Sequence, residues 1–177
     1  MPKKVHSISS VHDRLAVFLD PLVLRQIVGA GNFFVNQVDL EASNLDSSDP
    51  YSETKYSNLG ALEQYRRADG SFHFRMDYVD IDQSVEWTQT SNPLTHAPNS
   101  VSGFNLISGG DTSSFGGLSR RSSSTQLALL QGNPGETNWW FAAAATAIWP
   151  GAGANGMPAT RQPQRSSGHV EIYAFRD

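Results

Sequence analysis

Phe72, Phe74, Met76 and Tyr78 alternate with His73, Arg75, Asp77 and Val79, and no other pattern in the chain constrains its fold as tightly. A strand sends successive side chains to opposite faces, so this alternation marks a strand with one face buried and the other wet. Val85 to Thr90 repeats the pattern, with Val85 and Trp87 on the apolar parity. Asp69-Gly70 before the first run and Asn92-Pro93 after the second are turn signals. Gly103 to Ser108 and Gln126 to Leu130 read as further short strands separated by Gly109, Gly110, Gly116 and Gly117, and His169 to Phe175 reads as the closing strand. About eight or nine short strands spaced in this way predict a mostly β chain: a single antiparallel β-sandwich of jelly-roll type with one or two short helices.

Composition points the same way. Only 17% of the 177 residues are charged and only three are lysine, too few for the wet faces of long helices. A single domain of this length buries roughly 70% of the surface its unfolded chain exposes, enough for a real core. There is no cysteine, which excludes disulfides, thiolate metal sites, iron–sulfur clusters and a cysteine nucleophile. The net charge is −4 and the arginines are scattered without interleaved aromatics, so nucleic acid is not an expected partner.

Asn138 to Trp149 carries three of the four tryptophans and no charge. Twelve such residues are too short to span a bilayer, so no membrane span is expected. The four alanines Ala142 to Ala145 favour helix by propensity, while flanking aromatics and Gly/Pro punctuation favour a strand covered on both faces; strand is the expectation here. A loop of about nineteen residues, Pro150 to Gly168, follows, where two to six are usual. It bears Gly151, Gly153 and Gly156, has no acidic residue, and carries Arg161 and Arg165. Trp149 beside it can stack on a sugar face while amides and guanidinium groups take the hydroxyls, which makes Trp149, Asn155, Arg161, Gln162 and Arg165 the expected ligand-binding residues. For Trp87 and Trp139 a place in the core is the simpler account.

The N-terminal 30 residues are expected to form an arm, with the domain running from residue 31 to 177. Residues 1 to 12 are polar and lack periodicity. Asp20-Pro21 as N-cap and N1, with Gly29 as C′, predicts a short helix over Pro21 to Val28. Its apolar residues occupy too wide an arc for a lone surface helix, so Leu22, Val23, Leu24, Ile27 and Val28 are candidates for docking on a partner, in a homo-oligomer or a larger complex. Asp20, Pro21 and Arg25 interrupt the Leu15–Val28 stretch, a poor signal-peptide core. Asn32 to Leu40 has strand composition, and Ser57 to Arg67 reads as a short helix with Glu63 able to pair with Arg67.

No constellation of catalytic residues stands out. His73, Arg75 and Asp77 share a strand face without a marked nucleophile, and cross-strand pairing accounts for them. His169-x-Glu171 lacks the cysteine partners of a zinc deaminase site. Asp46 to Asp49 and the trio Asp77, Asp80 and Asp82 do not match a calcium loop, and Asx-turns explain the first. A non-enzymatic chain without a cofactor or metal is therefore expected.

Asp69-Gly70-Ser71-Phe72-His73-Phe74, then Val85-Glu86-Trp87-Thr88-Gln89-Thr90-Ser91-Asn92-Pro93, then Asn138-Trp139-Trp140-Phe141-Ala142 and Val170-Glu171-Ile172-Tyr173 occur in that order. Over about residues 55 to 177 the chain resembles a group of β-rich, lectin-like domains of extracellular modular proteins. The resemblance implies a sandwich, an extracellular setting, and glycan or protein binding; it transfers no catalytic residue. Two expectations follow: a recognition module that binds carbohydrate, or an accessory subunit of an assembly docked through its N-terminal arm.

Overall fold

A computed structural model describes residues 21–109, 115–122, 127–134, 141–148, 157–159 and 166–177. It is mostly β, built of antiparallel sheets that pack as a sandwich. The strands in chain order are β1 (Leu22–Ile27), β2 (Lys55–Ser57), β3 (Phe72–Tyr78), β4 (Gln83–Gln89), β5 (Asn105–Gly109), β6 (Ser119–Arg120), β7 (Ala128–Gln131), β8 (Ala142–Ala145), β9 (Met157–Pro158), β10 (Ser166–Ser167) and β11 (His169–Phe175). Six of them form one sheet in the order β2-β1-β11-β3-β4-β5; β6-β7-β8 form a second sheet, and β9-β10 a small ribbon.

The alternation in β3 is realised residue by residue: Phe72, Phe74, Met76 and Tyr78 are fully buried, while His73, Arg75 and Asp77 are half-exposed. β4 lies in register beside it, with Trp87 opposite Phe74 and Val85 opposite Met76. On its other side β11 sets Ile172 opposite Met76 and Val170 opposite Tyr78. These side chains make the inner face. An aromatic chain crosses from it to the second sheet, with Phe74 to Trp87 centroids at 5.4 Å, Trp87 to Phe115 at 4.8 Å and Phe115 to Phe141 at 5.2 Å. Trp87 is thus core. Ala142 to Ala145 form a strand in which all four residues are buried, because small side chains let β8 be covered on both faces.

Among the described residues, three buried polar groups stitch the two sheets together. The Gln26 amide of β1 behaves like a length of backbone, donating to Ala145 O at 2.9 Å and accepting from Ala145 N at 2.7 Å. Gln89 of β4 does the same for the residue before β6: its Oε1 accepts from Leu118 N at 2.8 Å and its Nε2 donates to Leu118 O at 3.0 Å. The Tyr78 hydroxyl donates to Ala142 O at 3.1 Å. Burial of these groups is tolerable because their donors and acceptors are satisfied.

Three local expectations are corrected. Leu22 to Ile27 form a strand, not a helix, since β1 finds backbone partners on both sides, in β2 and in β11. A helix of eight residues has too few internal bonds to compete with two ladders. Asn36 caps the short helix α1 (Gln37–Glu41) by accepting from Asp39 N, where a strand over Asn32 to Leu40 is expected from composition. The helix expected over Ser57 to Arg67 is a 3-10 helix over Leu59–Tyr65, and Glu63 pairs with Arg66 rather than Arg67, whose partner is Asp177.

Candidate functional site

The outer face of the six-stranded sheet gathers polar and titratable side chains from four neighbouring strands. Strand parity dictates which: Arg25 from β1, His169, Glu171 and Tyr173 from β11, His73, Arg75 and Asp77 from β3, and Ser84 and Glu86 from β4. Register then sets neighbours, with Glu171 between Arg25 and Asp77, and Arg75 between Tyr173 and Glu86.

Glu171 is the hub. It is only 7% exposed, and its carboxylate pairs with the Arg25 guanidinium, accepts from the Tyr173 hydroxyl and lies 3.0 Å from His169 Nε2. Arg25 is held in place by a second bond, Nε to Glu53 O at 2.7 Å. Beside the hub, Arg75 Nε donates to Asp77 Oδ2 at 3.1 Å while its guanidinium lies over the Tyr173 ring, 4.5 Å from the centroid. Further along, His73 Nε2 sits 2.7 Å from Glu86 Oε1, and its ring packs on Phe175 at 4.6 Å. Burial pulls the His169 pKa below the ordinary histidine range, and the Arg25 cation adds to the effect. Burial also raises the Tyr173 phenol above its ordinary value, with Asp77 and Tyr51 contributing.

A groove of about 430 Å³ opens on this face, lined among others by Arg75, Asp77, Asp82, Gln83, Ser84 and Glu171. One end is closed by the turn after β3, where Val79–Ile81 form a 3-10 turn ended by Asp82 in the left-handed region at φ 49. Gln83 is tied down by its bond to Ala159 O at 2.7 Å. Aspartate and asparagine tolerate that backbone better than most residues, because a short polar side chain can bond locally.

The structure therefore brings together two sets that the sequence treats separately, His73-Arg75-Asp77 and His169-x-Glu171. Arg25, Tyr173 and Glu86 belong to the same cluster and have no sequence signal beyond the parity of their strands. Trp149, Asn155, Arg161, Gln162 and Arg165 lie outside the described residues, as do Trp139 and the arm up to residue 20. The docking expectation for residues 22 to 28 is corrected: Leu22, Val23, Leu24 and Val28 are buried and Ile27 half-buried, within the chain's own sheet. Val23, Leu24 and Val28 join the main core, and Leu22 packs with Tyr56 and Tyr173. β1 thus belongs to the six-stranded sheet although it precedes the boundary expected at residue 31.

Asp49 accepts from Tyr51 N at 3.1 Å, the Asx-turn expected of that loop. Among the described residues no group of three or more His, Asp or Glu is placed to hold a metal ion. Among them too, no helix is long and apolar enough to cross a membrane. Comparison with family models, with curated proteins and with solved structures yields no match.

Proposed function

We propose that this chain is a non-enzymatic recognition module that binds carbohydrate in the groove on the outer face of the six-stranded sheet. The observation that carries the reading is the groove itself. Its volume, about 430 Å³, falls in the range of roughly 300–1,000 Å³ common for small-molecule sites. It offers carboxylates, a guanidinium, an amide and a hydroxyl in one concave patch, a donor and acceptor set that suits the hydroxyls of a sugar ring. Those groups are held in advance. Arg75 is fixed by Asp77 and by stacking on Tyr173, and Glu171 by Arg25 and His169. Binding then pays little extra entropy to order them.

The test is a broad glycan array followed by calorimetry on the hits, with wild-type protein and a Ser84→Tyr variant. Ser84 is exposed on β4, so a tyrosine there fills the groove without touching the core and suits a strand. Binding by the wild type that is lost in Ser84→Tyr supports the reading. An array without a hit on folded protein removes the carbohydrate assignment. Binding that survives Ser84→Tyr and disappears in Trp149→Ala moves the site from the groove to the loop after β8.

A further inference from the structure

The groove is lined by three carboxylates, and the fold neutralises two of them. Glu171 is paired with Arg25, and Asp77 with Arg75. Among the described residues Asp82 has no side-chain hydrogen bond or ion pair, and its backbone N–H donates to Val79 O. Among the described residues, counting Arg25 and Arg75 against Asp77, Asp82 and Glu171 leaves the groove one negative charge in excess, with the unmatched charge on Asp82 at the end closed by the Val79–Ile81 turn. His169 does not cancel it, since burial and the Arg25 cation favour the neutral ring.

A neutral sugar would leave that charge unanswered, and an acidic one would oppose it. The guanidinium of Arg75 also has a fixed place on the Tyr173 ring, so it repels a cation from the middle of the groove and leaves Asp82 as the seat for one. Building on the carbohydrate reading, we propose that the groove selects a sugar bearing a free amino group. The ammonium sits on the Asp82 carboxylate, and ring hydroxyls face Ser84, Gln83 and Asp77. A lysine side chain offers the same charge without the hydroxyls, and the polar lining from Gln83 and Ser84 favours the sugar over it.

The experiment uses the full chain and three probes: a trimer of glucosamine, its fully N-acetylated counterpart, and trilysine, each titrated by calorimetry at low and high salt. The expected result is that the glucosamine trimer binds about tenfold more tightly than the N-acetylated one, a typical gain for one charge-assisted contact at a partly exposed site. Raising the salt should shrink that ratio. Asp82→Asn should erase the preference while the protein stays folded, because asparagine accepts the left-handed backbone that Asp82 adopts. Equal or tighter binding of the N-acetylated trimer overturns the inference and leaves the carbohydrate reading standing. A preference retained in Asp82→Asn overturns it as well, as does trilysine binding as tightly as the glucosamine trimer. If neither trimer nor any arrayed glycan binds, the inference falls together with the reading beneath it.

Discussion

Gln89→Leu tests whether the side-chain amides that join the two sheets are structural necessities. Gln89 is fully buried, and its Oε1 accepts from two buried donors, Leu118 N and the Trp87 indole, both at 2.8 Å. Its Nε2 donates to Ser91 O at 2.7 Å and to Leu118 O at 3.0 Å. Leucine conserves most of the volume, so the cavity term is small, but both N–H groups lose this acceptor in a dry core. An orphaned buried donor costs about 1–3 kcal/mol. Two of them, less the gain of about 1 kcal/mol from replacing a buried amide with apolar surface, give a net loss of roughly 1–5 kcal/mol, about 3 kcal/mol at the midpoint. That is a large share of the ~5–15 kcal/mol typical of a domain. At the midpoint it should lower Tm by about 6–12 °C for a chain of this length. Urea unfolding followed by far-UV circular dichroism and by tryptophan emission should show a lower midpoint at unchanged m. The emission should also report a changed environment for Trp87, which sits at the centre of the aromatic chain. A loss below about 1 kcal/mol at unchanged m would refute the reasoning, since water or a small rearrangement would then be satisfying both donors.

Gly109→Ala should unpair β5 from β4: the residue sits at φ 68, and an added Cβ would lie 2.1 Å from Ser84 O, so hydrogen exchange at β5 should speed up and stability fall by at least about 2 kcal/mol. His169→Asn should flatten part of the pH dependence of stability. Burial and Arg25 hold the folded-state pKa of His169 below its unfolded value, so the unfolded chain takes up the proton first and stability is lost as pH falls through the ordinary histidine range; urea midpoints at about pH 7.5 and 5.5 should differ less in the variant, and an equal difference counts against it. Arg25→Met should cost about 2–3 kcal/mol by leaving Glu171 buried beside only His169 and Tyr173. In the same variant the His169 pKa, followed by NMR, should rise, because the cation that lowers it is gone; an unchanged value would show that burial alone sets it.

The alternation is legible where a strand has one wet face: β3 and β4 lie close to where it places them, and β3 is buried at alternate positions from end to end. β8 and β11, buried over most of their length, lie close to where composition and turn residues place them. β1 was not legible, and the reason is physical. Val23 and Leu24 are both fully buried, so its apolar residues form a run without alternation, and a short apolar run does not distinguish strand from helix. The Asp20-Pro21 capping signal then points to a helix that tertiary pairing overrides. Asn32 to Leu40 misleads in the other direction. Val35 and Val38 look like core yet are 78% and 74% exposed, and the informative residue is Asn36, whose side chain caps α1. The candidate site was legible in halves. Parity says that His73, Arg75 and Asp77 share one face and that His169 and Glu171 share another; only the pairing of β11 with β3 makes those faces one surface. That pairing joins Glu171 to Asp77 across about half of the chain, and nothing local in either segment specifies it.

The same alternation that builds the core also fixes the groove. In β3 each outward group of the candidate site is flanked by core residues: Arg75 by Phe74 and Met76, Asp77 by Met76 and Tyr78. A slip of one residue in the β3–β4 or β3–β11 register would bury Arg75 and Asp77 and expose those core side chains, exchanging one face for the other. The core therefore locks the register, and through it the spacing of the groups that line the groove. Outward residues such as Ser84 can then change without disturbing any inward contact, as can Asp82 to asparagine in its left-handed turn, whereas Gln89 and Tyr78, which face inward and tie the sheets together, cannot. Ligand preference should accordingly respond mainly to substitutions of the outward parity and folding to those of the inward one; the two responses meet at Gln83, of inward parity yet lining the end of the groove, and at Glu171 and Arg25, largely buried yet on the outer face.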